Sequence, residues 1–226
     1  MSRPLGAPRV HHRLTDSTNE RAKVLARAGA PHGTLVTADE QSAGRGRQGR
    51  EWTAAPRSAL LMSLVLREFG HLLPLAAAVA VSEAAEACAA VSCRVKWPND
   101  VWIEERKVAG ILVEGRPQEG WAVLGIGLNA RAQEFPPELR DVAITLELEA
   151  TEPLLGSLLA TLERRLHDGP RAVLGAWRAR DALKGRAVRW HGGEGKACGV
   201  DDSGALLVAT GGGEVALQAG EVHLLR

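Results

Sequence analysis

Cysteine is scarce: Cys88, Cys93 and Cys198 are odd in number and match no metal-ligand spacing. Free buried thiols in a reducing cytosol are expected. A surplus of one charge is also lacking. The 28 Lys and Arg against 27 Asp and Glu leave a formal charge of +1, so no global field draws the chain to nucleic acid or membrane. Positive charge must act locally. No apolar run approaches the roughly 18 residues that span a bilayer, and Met1 to Pro8 lacks the apolar core of a signal peptide. Internal repeats and low-complexity tracts are absent. These gaps point to a cytoplasmic protein without a membrane partner. What remains is ordinary for a globular chain: 45% hydrophobic and 24% charged residues over 226 positions, enough for one large or two small domains.

Ser17-Thr18-Asn19-Glu20 opens a helical stretch running to about Ala28, with Ser17 and Glu20 in capping-box spacing and Gly29 as a stop. Thr34 to Ala38 and the strongly apolar Ala59 to Leu66 read as strands on either side of a Gly/Arg run. Pro74 begins an alanine-rich helix whose wet side is expected at Ser82, Glu83 and Glu86. Arg94 to Trp97, Val101 to Ile103, Val108 to Val113 and Trp121 to Leu128 form an antiparallel meander. Its turns include Pro98-Asn99-Asp100 and Glu104-Glu105-Arg106. Leu155, Leu158, Leu159, Leu162 and Leu166 mark one helix face, and a further helix covers Ala172 to Ala182. After Lys184-Gly185 the chain turns to short β-type runs between Gly-rich turns, the pattern of a small appended barrel. The architecture is α+β, with one domain over 1–183 and a β module over 184–226.

The run Gly44-Arg45-Gly46-Arg47-Gln48-Gly49-Arg50 admits four readings. It contains G-x-G-x-x-G, but a dinucleotide turn needs a helix directly behind it, and here Trp52, Pro56 and a strand follow. An RGG-like RNA tract would normally be repeated in a basic tail, and this run occurs once. A solvated loop is the plainest reading. The fourth is an anion clamp: Arg45, Arg47 and Arg50 supply forked donors, glycines let the backbone approach a ligand, and Trp52 can close over its apolar part. Such a segment should be mobile until an anion orders it.

Arg94-Val95-Lys96-Trp97-Pro98-Asn99-Asp100 and Lys107-Val108-Ala109-Gly110-Ile111-Leu112-Val113-Glu114 narrow the choice. With Ser17-Thr18-Asn19, Gln41 and the Gly/Arg run, they closely resemble the biotin protein ligases, from about Arg13 to the end of the chain. That resemblance implies an SH2-like mixed-sheet catalytic domain of the class II aminoacyl-tRNA synthetase/biotin ligase type, followed by an SH3-like β module. It implies two steps: biotin and MgATP form biotinoyl-5′-AMP, and a lysine of a biotin carboxyl carrier protein domain takes the biotin. Two anions must meet in the first step, which calls for fixed positive charge and a metal.

The resemblance also implies roles. Arg47, Lys107 and Asp100 are expected to be catalytic. Ser17, Thr18, Asn19, Gln41, Arg45, Gly46, Arg47 and Lys107 are expected around biotin. Arg45, Arg47, Arg50, Trp52, Lys96, Asn99, Asp100, Lys107 and Asn129 are expected around ATP and the adenylate. No dedicated protein metal site is expected; Mg2+ would lie near Asp100, whose task, metal orientation or deprotonation of the acceptor lysine, stays open. Ser17 is equally a helix cap, and the KWPND segment equally a rigid hairpin turn. Gln48 carries no role, His11 and His12 read as surface residues, and nothing makes His191 or His223 catalytic. Only about a dozen residues precede the expected catalytic domain, so a monofunctional type without a DNA-binding helix-turn-helix is expected. A homodimer through paired sheet edges stays open. The rivals are a lipoate–protein ligase and a non-catalytic nucleotide- or RNA-binding module.

Overall fold

Every residue of Ala59–Leu66 is apolar except Ser63, and such a strand needs cover on both faces. A computed structural model, describing residues 4–225, gives it that cover. The expected domain ends at residues 1–3 and 226 lie outside the described residues. Seven strands form the main sheet: β1 (Arg9–His12), β2 (Leu35–Ala38), β3 (Ala59–Leu66), β4 (Arg94–Lys96), β5 (Asp100–Ile103), β6 (Arg106–Arg116) and β7 (Trp121–Asn129). Their order is β1-β2-β3-β7-β6-β5-β4. The β1–β2 pair is parallel and all others are antiparallel, so the sheet is mixed and β4 to β7 form the expected meander. β1 went unread in the sequence. Arg9-Val10-His11-His12 is short and mostly polar, and its partner β2 is remote in the chain.

Helix α1 (Thr18–Arg27) lies on one face of the sheet, where Ala22 and Ala26 pack on Val36, Val65, Trp121 and Val123. Gly29, at φ 84°, ends it, with Ala30 N–H donating to Leu25 O and Gly29 N–H to Ala26 O, the paired bonds of a Schellman stop. Its start departs from expectation. Ser17 is the extended N-cap residue, but its side chain makes no capping hydrogen bond. Instead Asp16 Oδ1 accepts from Ser17 N–H at 2.7 Å, and Glu20 turns to Lys23 and Arg45. The capping box does not form because cations nearer its glutamate take it.

The opposite face carries α2 (Leu73–Cys88), α3 (Glu152–His167) and α4 (Pro170–Arg178) over the large core cluster. The expected wet side of α2 does not exist. Ser82 is fully buried, its hydroxyl donating to Ala78 O at 2.8 Å. Glu83 is gripped by Arg164 and Arg165 of α3, and Glu86 accepts from Arg180 and Cys93 N–H. α3 lies where solvent was expected, and its arginines neutralise what it buries. Among the described residues no helix is long and apolar enough to cross a membrane.

The remaining strands, β8 (Ala187–Trp190), β9 (Gly193–Val200), β10 (Leu206–Thr210), β11 (Gly213–Leu217) and β12 (His223–Leu224), form an antiparallel sheet in the order β11-β10-β9-β8-β12. It is fastened to the first sheet. Trp97, 2% exposed, donates from Nε1 to Gly204 O at 3.0 Å, and Arg178 donates to Val200 O. Trp97 is therefore one joint between the sheets, with the Arg50–Glu221 and Arg186–Glu105 ion pairs as others. Cys198 is exposed on β9, against the expectation of a buried thiol, because its neighbour Ala197 takes the inward position.

Burial pushes the Glu83 pKa up, and the hydrogen bonds and charges of Arg165 and Arg164 more than reverse this, leaving it below the ordinary value. A depressed carboxylate stabilises the fold above the unfolded value near ~4.3 and loses that contribution as pH falls through the folded value. Glu83→Gln is expected to lower the unfolding free energy by about 1–2 kcal/mol at pH 7. Urea titrations should show this gap closing toward acid pH; a gap independent of pH would contradict the ion-pair account.

Candidate active site

On the sheet face that carries α1, the helix packs through Ala22 and Ala26, and its N-terminal end borders open space. A cavity of about 510 Å³ opens there. Ser17, Thr18 and Asn19 reach it from the start of α1, and Gln41 from just beyond β2. Arg45, Gly46, Arg47, Arg50 and Trp52 come from the β2–β3 connection, Lys96 from the end of β4, Asn99 from the following turn and Asp100 from the start of β5. Lys107 and Asn129 stand on β6 and β7. Residues far apart in the chain thus meet around one volume. A second cavity, about 820 Å³, lies across the Gly/Arg segment beside the N-terminal end of α2 and the Ser203-Gly204 turn, and shares with the first that segment, Asn99, Ile111 and Leu112.

The Gly/Arg segment is a self-closed hairpin. Gly46 N–H donates to Arg50 O, Trp52 N–H donates to Gly44 O, and Arg45 bridges to Glu51. No long helix follows, only one 3-10 turn at Arg47–Gly49 and then β3, so the dinucleotide reading falls. Four of the cations have polar partners. Arg45 pairs with Glu20 at 2.9 Å, Arg50 with Glu221 of the second sheet, and Lys107 with Asp100 at 2.7 Å. Arg47 donates to Asn99 Oδ1 at 3.3 Å.

Two of these groups carry shifted pKa values. Burial lowers that of Arg47, with the Asp100 charge opposing and Arg50 adding to the shift. Burial likewise lowers that of Lys96, against Asp100 and with Lys107 and Arg50. Both shifts mark positive charge taken out of water first and held near other positive charge second, an environment that an anion relieves. Lys96 also lies 5.0 Å from the Trp102 ring centroid and Lys107 5.6 Å from that of Trp52.

The other end of the cavity is neutral and fully bonded. Gln41 Oε1 accepts from Thr18 N–H at 2.7 Å and lies 3.0 Å from the Thr18 hydroxyl. Ser63 Oγ lies 2.8 Å from Thr18 Oγ1 and 2.6 Å from Asn19 Oδ1. Asn19 Nδ2 donates to Glu114 at 2.9 Å. Asn99 and Asn129 serve the backbone: Asn99 Nδ2 donates to Ile111 O, and Asn129 Nδ2 to Ile144 O. Asn129 therefore braces the segment after β7 as well as facing the cavity.

Several residues that sequence reasoning missed belong here. Gly125 and Gly127 leave room for Asn19 and Trp52: a Cβ at Gly125 would lie 2.0 Å from Asn19 Oδ1, and one at Gly127 2.5 Å from the Trp52 ring. Two glycines inside one strand were a readable sign of close approach. Phe135, Leu139, Val142 and Ala143 wall the cavity from the segment after β7, where Lys107 N–H donates to Val142 O. His223 enters from the second sheet; burial and the charges of Lys96 and Arg50 lower its pKa. No sequence pattern marks either segment.

A cavity with a neutral hydrogen-bonding end and a cationic end suits a ligand with a polar uncharged head and an anionic tail, with a second anion alongside. Fold and site thus define an enzyme that brings anionic substrates together. The model of the biotin/lipoate A/B protein ligase family matches residues 11–129, and that of the biotin protein ligase C-terminal domain matches residues 185–225. The chain belongs to the biotin/lipoate A/B protein ligase family and is a ligase that forms an amide bond. It is 35% identical to the bifunctional ligase/repressor BirA of Bacillus subtilis, over 97% of this chain and 75% of that one. The biotin–[acetyl-CoA-carboxylase] ligase of Mycobacterium tuberculosis is also 35% identical, over 94% of this chain and 87% of the other. A solved biotin protein ligase from Aquifex aeolicus, in complex with biotin and ATP, superposes with a TM-score of 0.85 at 31% identity, covering 97% and 99% of the two chains.

Gly127→Ala places a methyl group inside the Trp52 ring, which must retreat by roughly 1 Å to regain a contact of ~3.5–4 Å. The side-chain indole N–H resonance of Trp52 is expected to shift while the remaining tryptophan resonances stay. An unmoved Trp52 signal would show that the ring does not rest on this glycine.

Proposed function

We propose that the chain activates biotin with MgATP as biotinoyl-5′-AMP and passes it to a lysine of a biotin carboxyl carrier protein domain. In the first step a carboxylate oxygen of biotin attacks the α-phosphorus and the bond to the β-phosphate bridge breaks, releasing pyrophosphate. In the second, the acceptor amine attacks the acyl carbon, AMP leaves and the amine loses a proton. The names of the relatives support this reading, as does biotin with ATP in the Aquifex aeolicus ligase.

The observation that carries it is the hydrogen-bonded neutral end formed by Thr18, Asn19, Gln41 and Ser63. A ureido ring offers one acceptor and two donors to such a surface. A dithiolane ring, as in lipoate, offers neither and gains no hydrogen bond from this polar floor. The family model spans both substrates, and the polar floor favours the first.

At the other end Lys107 and Arg47 supply the fixed charge that draws a carboxylate against a phosphate. Trp52, resting on bare backbone, offers an aromatic surface for the nucleotide base. Among the described residues there is no cluster of three or more His, Cys, Asp or Glu that could hold a metal. Mg2+ would enter with the ATP phosphates, its usual partners, and Asp100 is the carboxylate that would hold it. A bound Mg2+ would supply charge neutralisation of the phosphates; the chain's own residues orient the groups and keep water from the mixed anhydride.

Purified protein with ATP, Mg2+ and labelled biotin is expected to label a carrier domain, and labelled lipoate is expected to fail. Equal labelling by lipoate would refute the reading. Lys107→Ala is expected to slow adenylate formation by about 10²–10³, read by biotin-dependent pyrophosphate exchange. Exchange at the wild-type rate would remove Lys107 from the first step.

A further inference from the structure

Glu114 ends the Lys107-to-Glu114 motif, and the chemistry above gives it no task. Its side chain is 27% exposed on β6. Oε2 accepts from Asn19 Nδ2 at 2.9 Å and Oε1 from Lys23 Nζ at 2.9 Å. Burial pushes its pKa up, and the hydrogen bonds from Asn19 and Lys23 outweigh that, so the group stays ionised. An ionised carboxylate only accepts.

That single property orders everything behind it. Asn19 must turn its amide nitrogen to Glu114 and its oxygen to Ser63. Asn19 Oδ1 has no proton to give, so the Ser63 hydroxyl, 2.6 Å away, donates to it. Ser63 has then used its one proton, so its Oγ can only accept, and the Thr18 hydroxyl has two acceptors to choose between, Ser63 Oγ at 2.8 Å and Gln41 Oε1 at 3.0 Å. Gln41 Oε1 keeps the Thr18 backbone N–H. The protons of Asn19 and Ser63 both point toward Glu114, and Ser63 is left with nothing to donate to Thr18.

We propose that Glu114 is a positioning residue that sets the polarity of this hydrogen-bond chain, and with it the donor and acceptor pattern offered to the ureido ring. The inference rests on the biotin reading. Without the carboxylate the chain has no preferred direction: a glutamine at this position can donate to Asn19 Oδ1, and each link behind it can then reverse. Lys23 also bridges Glu114 to Glu20 at 2.7 Å, and Glu20 holds Arg45, so the same anchor touches the Gly/Arg hairpin.

The test compares biotin with 2-iminobiotin, in which an imino group replaces the ureido carbonyl and a donor replaces an acceptor. Wild-type protein is expected to form biotinoyl-AMP and to prefer biotin strongly. Glu114→Gln is expected to raise the KM for biotin, to narrow that preference by about tenfold, and to leave the KM for ATP and the kcat at saturating biotin within about twofold. Ser63→Ala, which removes the middle link and adds no bulk, should narrow the preference similarly. The double variant should be no worse than either single one, because both break one chain. Wild-type preference in both variants, equal losses for biotin and ATP, or additive losses in the double variant would overturn the inference. Failure of the wild type to adenylate biotin would instead sink the biotin reading.

Discussion

Gly110 and Gly127 face each other across β6 and β7, and the Trp52 ring lies on the bare backbone between them. The rest of the site depends on that contact. A ring seated there gives Lys107 a face to approach, and Lys107 in turn holds Asp100. The same strands bury Ile111, Leu124 and Leu128 in the large core on the helical side. One sheet therefore shows two characters: dense aliphatic packing beneath, and a floor stripped of side chains above. A methyl group at either glycine would exchange binding surface for bulk.

The cations of the site are held by partners of unequal strength. Arg45 and Arg50 remain 55% and 60% exposed in their pairs with Glu20 and Glu221. Exposed pairs contribute only about 0–1 kcal/mol each, so an arriving polyphosphate can displace them at little cost. Arg47 and Lys96 are more enclosed, and burial already weighs against their charge. An anion restores what burial removed. This asymmetry leaves the outer arginines able to exchange partners at little cost, while the inner one is held by its enclosure.

The neutral end works by the opposite principle. It has almost no net electrostatic pull, and its selectivity lies in which atoms donate and which accept. In a buried setting an unpaired polar atom is expensive, so a chain of fixed direction discriminates between ligands of the same shape. The two ends together explain why one cavity can hold a polar uncharged ring and a charged carboxylate at once.

Much of this was legible in the residues themselves. The runs of β3, β6 and β7, the leucine face of α3 and the glycine stop of α1 follow from local periodicity and backbone freedom, which need no distant partner. The motifs around Arg47, Asn99 and Lys107 were legible for the same reason, since each is a short contiguous string. Contacts between distant segments were not. Glu20 abandons its capping box for Lys23 and Arg45, the acidic stripe of α2 disappears under Arg164, Arg165 and Arg180, and the parallel strand β1 forms only because β2 is beside it. Trp97 reads as part of a turn until Gly204 supplies an acceptor, and Glu114 as a strand end until Asn19 and Lys23 reach it. Local sequence settles backbone geometry and the identity of the chemical groups; partner choice among charged and polar side chains is settled by proximity, and proximity exists only after the chain has folded.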